Sequence, residues 1–208
     1  LSQNNLLINA DDIANILQID SKSTAFCHLP IHYSYGFSVL SSHLSRSARI
    51  VLTSKSLMDK EFWHKLESTK SNHLPGVPYH FEMMKRLGLG RLPLKHVRML
   101  TQAGGHLDRQ TREDLWKIME LQGGRFCVMY GQTEASPRMA TLAHDDFPDA
   151  PDSVGIALPS GEFVIQDENG DALPAGETGE VVYRGPNVML GYAETAKDLE
   201  SGDLFSGV

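Results

Sequence analysis

The chain has 208 residues, 41% apolar and 22% charged, a length and balance that allow a sizeable buried core and argue against disorder. Nineteen Lys and Arg against 26 Asp and Glu give a formal charge of −7 with no basic stripe, which argues against nucleic acid as the main partner. No stretch approaches the roughly 20 consecutive apolar residues that a membrane span needs.

Apolar residues at Leu6, Ile13, Ile16 and Leu17 predict a helix over Asn5 to Leu17. Thr24 to Leu29 is a short, mostly apolar run closed by Pro30 and reads as a strand. A helix is expected over Ser38 to Leu44 and a β-branched strand over Arg49 to Leu52. Asp59 is placed to cap a helix running to Ser68, with Phe62, Trp63 and Leu66 inward. His73 to Gly76 predicts a brief strand, and Pro78 opens a helix carrying Phe81, Met84 and Leu87. Proline suits that first turn because its missing N–H would have had no partner there. Val97 to Leu100 predicts a strand that runs into Gly104-Gly105. Asp108 then caps a helix with Leu115, Ile118, Met119 and Leu121 on its apolar side, Gly123-Gly124 ends it, and Arg125 to Met129 returns as a strand. Such alternation predicts an α/β fold, a mostly parallel sheet with packed helices. Cys27 and Cys127 each lie in an apolar run and read as buried free thiols of a reducing cytoplasm, with a single disulfide as the alternative; Met83, Met84, Met119 and Met129 read as core.

Past Ser136, Pro, Gly and Asp become frequent and helical periodicity fades. Glu162 to Gln166 and Glu180 to Arg184 read as strands, with a turn at Asn169-Gly170 between them. The boundary falls between Ala135 and Ser153. The expected organisation is an α/β subdomain over 1–140 and a β-rich unit, part of a distorted antiparallel barrel, over 141–208. Asp145, Asp146 and Asp149 form a short acidic loop expected to be solvated.

Three segments carry chemistry. Tyr130-Gly131-Gln132-Thr133-Glu134 follows a strand, where ligands of open α/β sheets gather. A glycine there lets backbone approach a ligand, a hydroxyl bonds a phosphate oxygen, and a carboxylate holds Mg²⁺. A plain turn in which Thr133 and Glu134 cap the next segment fits the same residues. Gly104-Gly105-His106 also follows a strand; it is either a surface against which something flat lies or a tight turn needing positive φ. Gly202-Asp203 offers a carboxylate for a vicinal diol, or is simply turn chemistry. His28 and His32 are four apart, but Pro30 separates them, so they share no helix face and do not make a zinc site.

Taken in order, these segments resemble the adenylate-forming superfamily of acyl-CoA synthetases, luciferases and peptide-synthetase adenylation domains. Tyr130 to Glu134 fits its Tyr-Gly-x-Thr-Glu motif, and Gly179 to Tyr192 is similar to its later Gly-Glu…Arg-Gly…Gly-Tyr signature. Pro30 to Gly36, Gly76-Val77-Pro78 and Gly202-Asp203 fall where the family keeps related elements. Five such segments in one order are far more specific than any alone. The resemblance implies ATP-dependent activation of a carboxylic acid as an acyl-adenylate, then thioester formation, with ATP/AMP and Mg²⁺. The thiol acceptor it implies is coenzyme A or pantetheine, the latter on an acyl carrier protein. Glu134 would hold Mg²⁺ and Thr133 would contact the α-phosphate, the two forming the catalytic set. Tyr130 and the backbone of Gly104, Gly105 and His106 would enclose adenine, with Gly131 and Gln132 in the same loop. Asp203 would hold the ribose hydroxyls. Tyr33, Ser34 and Gly104 would face the acyl group.

The chain departs from the family in several places. The Ser/Thr/Gly-rich phosphate loop and the lid domain with its lysine are not found, so an internal fragment of the core, inactive alone, is expected. Its incomplete sheet is expected to need a cover for stability. Tyr33 stands at the family's histidine position, and His32 reads as an ordinary partly buried histidine. Ser34 replaces the aspartate that binds α-amino groups, which favours an acyl or aryl acid over an α-amino acid. A non-catalytic module that binds a nucleotide or a protein partner, or an adenylation domain loading a carrier protein, is the alternative. A dinucleotide-binding oxidoreductase is set aside because no Gly-x-Gly-x-x-Gly follows a strand.

Overall fold

A parallel sheet buries both faces of its strands, so its connections must carry helices to cover them. The computed structural model, which describes residues 1–193 together with Thr195 and Asp198, follows that rule over most of its length. Helix α1 (Gln3–Ile16) precedes strand β1 (Thr24–Cys27), helix α2 (Ser34–Leu44) and strand β2 (Arg49–Leu52). Helix α3 (Lys60–Ser68), strand β3 (His73–Gly76), helix α4 (Pro78–Leu87), strand β4 (Met99–Gln102), helix α5 (Arg109–Leu121) and strand β5 (Arg125–Gly131) continue the alternation. Strands β6 (Arg138–Leu142) and β7 (Ile156–Ala157) extend the sheet, whose order is β2-β1-β3-β4-β5-β6-β7. The first five are parallel and the last two join antiparallel. Strands β8 (Glu162–Gln166) and β9 (Glu180–Arg184) pair antiparallel as a second sheet, with Glu162 opposite Arg184.

Two apolar clusters hold the layers. On one face Phe62 and Leu66 of α3, Phe81 and Met84 of α4, and Leu115 and Met119 of α5 pack on Phe26, Leu100 and Phe126. On the other, Ile13 and Leu17 from the α1 region and Tyr35 and Val39 of α2 pack on Ala25, Cys27 and Met129. Both cysteines are free and buried. The expected mostly parallel α/β sheet with a small antiparallel unit is present.

Several local expectations shift. Val97 lies before β4, which begins at Met99, and α2 begins at Ser34 rather than Ser38. Asp59 occupies the N-cap position of α3 as expected, but its carboxylate accepts from the Ser56 N–H at 3.0 Å and makes no bond to the helix. Asp108 does cap α5, accepting from the Thr111 N–H at 2.9 Å. Helix α1 buries a polar set, Asn5, Asn9 and Asp12, alongside Ile13. Strand β6 lies where the sequence predicted no element; five consecutive buried residues form it against β5. The larger sheet therefore has members on both sides of position 140, and the division at that position stays a proposal.

Candidate nucleotide and acid site

Strands β1, β4 and β5 are parallel, so the loops leaving their carboxyl ends open on the same side of the sheet. The loop after β4 carries Gly104 and Gly105, with φ of 79° and 147°. Those angles favour glycine, and a Cβ on Gly104 would lie 2.5 Å from the Tyr33 hydroxyl. Gln102, at the end of β4, donates from Nε2 to the Gly105 carbonyl at 2.8 Å and holds the turn in place. Beside it, β5 runs into Tyr130-Gly131, where a Cβ on Gly131 would collide with the Pro137 carbonyl oxygen. From β1, the chain reaches Tyr33 and Ser34 at the start of α2, and the Ser34 and Thr133 hydroxyls lie 3.0 Å apart.

Two cavities meet at this junction. The larger, about 410 Å³, is lined by Gly104, Gly105, His106, Tyr130 and Gly131 with apolar Leu107, Val128 and Val154. The smaller, about 250 Å³, is lined by Tyr33, Ser34, Tyr35, Gly104, Tyr130, Gly131, Gln132, Thr133, Glu134 and Arg138. Gly104, Tyr130 and Gly131 belong to both. The structure thus brings together Tyr33, Ser34, Gly104, Gly105, His106, Tyr130, Gly131, Gln132, Thr133 and Glu134, from three loops. Gly202 and Asp203 lie outside the described residues. His32, expected to be partly buried, is exposed, because it precedes α2 on the solvent side.

Glu134 is held by its neighbours. Tyr192 donates its hydroxyl to the Glu134 carboxylate, and the Met189 N–H donates to the Glu134 carbonyl at 2.6 Å. The Tyr192 bond holds the Glu134 carboxyl below its usual range and the Tyr192 hydroxyl above its own. Asn187 is buried and fastens the same loop: its Nδ2 donates to the Ala135 carbonyl at 2.7 Å, and its Oδ1 accepts from Tyr183 at 3.1 Å. Asn5 of α1 donates to the carbonyls of Pro186 and Val188 at 2.7 and 2.9 Å. The segment 186–192 therefore acts as a strap that fixes Glu134. Sequence motifs marked that segment but gave no hint of what it touches. Arg138, which is buried, carried no motif or local pattern that marked it.

The donor set tests which groups suit the site. The smaller cavity presents the Glu134 carboxylate and the hydroxyls of Ser34 and Thr133, with no Cys or His in its lining. Such oxygen ligands, with one carboxylate, suit Mg²⁺ that keeps water and phosphate in its remaining positions. The glycine floor and apolar walls of the larger cavity suit a flat heterocycle, in a volume typical of small-molecule sites.

A family model described as AMP-binding enzyme matches residues 1–193. Oxalate–CoA ligase of Saccharomyces cerevisiae is 27% identical over 194 residues, covering 93% of this chain and 35% of that protein. A long-chain-fatty-acid–CoA ligase of Bacillus subtilis is 28% identical over 151 residues, covering 68% of this chain and 26% of the relative. The chain thus spans about a third or less of the curated relatives it matches. Among solved structures, VinN superposes with TM-score 0.78 at 26% identity, over 92% of this chain and 47% of VinN. The o-succinylbenzoate coenzyme A synthetase of Bacillus subtilis, solved with ATP and magnesium, shares the fold with TM-score 0.81 at 22% identity. That match covers 96% of this chain and 40% of the synthetase.

Proposed function

The chain belongs to the AMP-binding enzyme family, and from that premise we propose that it forms the nucleotide- and acid-binding face of an AMP-forming acid–thiol ligase. The observation that carries this reading is the junction at Gly104, Tyr130 and Gly131, where a nucleotide-sized cavity opens into a polar one lined by Thr133 and Glu134. In this reading the backbone of Gly104 to His106 and the ring of Tyr130 bind adenine, and Gly131 and Gln132 complete the loop. Thr133 donates its hydroxyl to the α-phosphate. Glu134 provides the carboxylate for Mg²⁺, which when bound neutralises phosphate charge. Asp203 binds the ribose hydroxyls, as the family resemblance implies. Tyr33, Ser34 and Gly104 contact the acid.

An oxygen of the acid bonds to the α-phosphorus while the bond to pyrophosphate breaks; a thiol then takes the acyl group and leaves AMP. The residues contribute mainly by holding the reactants in line and placing donors where charge develops. The thiol is coenzyme A or a pantetheine arm; the ligase names of the curated relatives favour coenzyme A. Those names range from oxalate to long-chain fatty acids, so no single acid is carried over. No helix among the described residues is long and apolar enough to cross a membrane, and a cytoplasmic location completes the proposal.

Calorimetric titration with ATP tests the site. Binding is expected only with Mg²⁺ present and is expected to fall at least about tenfold in Glu134→Ala, the loss of a charge-assisted contact. Binding that ignores both Mg²⁺ and the substitution would overturn the assignment.

A further inference from the structure

Helix α5 is tied to two walls of the larger cavity. It starts directly after the Gly104 to Leu107 loop and is capped there by Asp108, so it carries the glycine floor at its N-terminus. Arg109, Arg112, Trp116 and Glu120, spaced three and four apart, form one row along it. That row holds the link between β6 and β7. The Trp116 indole N–H donates to the His144 carbonyl at 2.9 Å, and the Trp116 ring stacks on His144. His144 Nδ1 accepts from the Phe126 N–H at 3.1 Å, which leaves Nε2 to donate to the Glu120 carboxylate at 2.8 Å. At the N-terminal end of the row both oxygens of Asp152 are taken. Oδ2 accepts from Arg109 Nη1 and Oδ1 from Arg112 Nη2, each at 3.0 Å.

Asp152, Ser153 and Val154 line the larger cavity together with Gly104, Gly105 and His106. Downstream, this wall is anchored by β7: Ile156 pairs with Thr141, and a Cβ on Gly155 would collide with the Thr141 carbonyl. Upstream, its anchor is the arginine pair. The Arg112 side chain is 5% exposed, so solvent screens its bond to Asp152 little even though the carboxylate itself is exposed. Two charge-assisted bonds, one to each oxygen, fix the direction of the carboxylate as well as its distance. We infer that Arg109, Arg112 and Asp152 are positioning residues for the nucleotide base: their clasp sets the gap between the 152–154 wall and the glycine floor in which the purine lies. This inference rests on the reading of the larger cavity as the adenine site and adds the residues that hold its width. The three act without touching the base. They keep the wall in place while the cavity is empty, so that binding does not have to order it.

The test titrates the full-length natural protein and its variants, by calorimetry with Mg²⁺ present, with ATP and with tripolyphosphate, which carries the phosphates without a base. Asp152→Asn keeps the size and removes the charge. It is expected to weaken ATP binding about tenfold, the worth of a charge-assisted contact, and to leave tripolyphosphate within about twofold. Arg109→Gln is expected to weaken ATP by a smaller factor, and Asp152→Glu to keep most of the natural affinity. Unchanged ATP binding in Asp152→Asn overturns the inference and leaves the ligase reading standing. An equal loss of ATP and tripolyphosphate marks general loosening and overturns it too. A natural protein that binds no ATP removes the ligase reading and the inference with it. Where Asp152→Asn fails to fold, Arg109→Gln decides, because it leaves the Arg112–Asp152 pair in place: an ATP loss supports the clasp, and no loss overturns it. Where tripolyphosphate binds none of the proteins, recovery of ATP affinity in Asp152→Glu at the natural melting temperature takes its place, and no recovery overturns the inference.

Discussion

Asn187 joins three parts of the chain through one side chain: the Ala135 carbonyl, the Tyr183 hydroxyl and, at 3.3 Å, the Arg138 carbonyl. Its own carbonyl accepts from the Ser136 hydroxyl at 2.7 Å. Asn187→Ala would leave buried groups without partners, at a cost of about 2–3 kcal/mol. It should also loosen Glu134 and weaken Mg²⁺-dependent ATP binding. Urea unfolding and calorimetry check this; a variant as stable and as tight as the natural protein would remove the strap from the account. The Tyr130 to Glu134 loop was legible because a glycine, a hydroxyl and a carboxylate after a strand is a local pattern. Asn187 was legible only as one letter of a signature, and Arg138 not at all, since both depend on which distant segments cover them.

Helix α2 and strand β3 meet through a buried histidine pair. His43 Nε2 and His73 Nδ1 lie 3.1 Å apart with the rings stacked at 5.0 Å, and His73 Nε2 is 2.8 Å from the Thr101 hydroxyl. Burial lowers the His43 pKa from 6.5 to about 4 and holds His73 well below its usual value. Between those values the unfolded chain binds more protons than the folded one, so stability is fullest above pH 6.5 and falls as pH drops toward 4. The loss from His43 is on the order of 3 kcal/mol. Urea midpoints at pH 7.5 and 4.5 should therefore converge in His43→Gln relative to the natural chain; an unchanged pH slope would contradict the assignment.

Helices α3, α4 and α5 were readable from apolar spacing, as was the β8–β9 pair from its bounded apolar runs. Strand β6 was not, because it is buried by β5, β7 and α1 rather than by its own alternation. Helix α1 was readable too, with Ile13 and Leu17 inward, but its buried Asn5, Asn9 and Asp12 were not, because their partners are the distant 138, 160 and 186–188 backbone.

At the scale of the whole molecule, a mostly parallel sheet places the ends of β1, β4 and β5 together, and helices on both faces hold that edge rigid. Polar side chains on α1 then tie the later segments back across it: Asn5 to 186–188, Asn9 to Arg138, and Asp12 to Ser160. The alternation of elements made this architecture legible, and the motif order marked the candidate loops that the structure brings together. What the sequence left hidden was the convergence of α1, the strap and β6 behind the site, which no local pattern records.

The proposed reaction is attack by a carboxylate of the substrate on the α-phosphorus of ATP. The most direct measurement supplies the full-length natural protein with ATP, a thiol and an acid labelled with oxygen-18 in its carboxyl groups, and follows the label by mass spectrometry. Attack at the α-phosphorus predicts one labelled oxygen in each AMP and none in pyrophosphate. Unlabelled AMP, or label carried off in inorganic phosphate, would contradict the account.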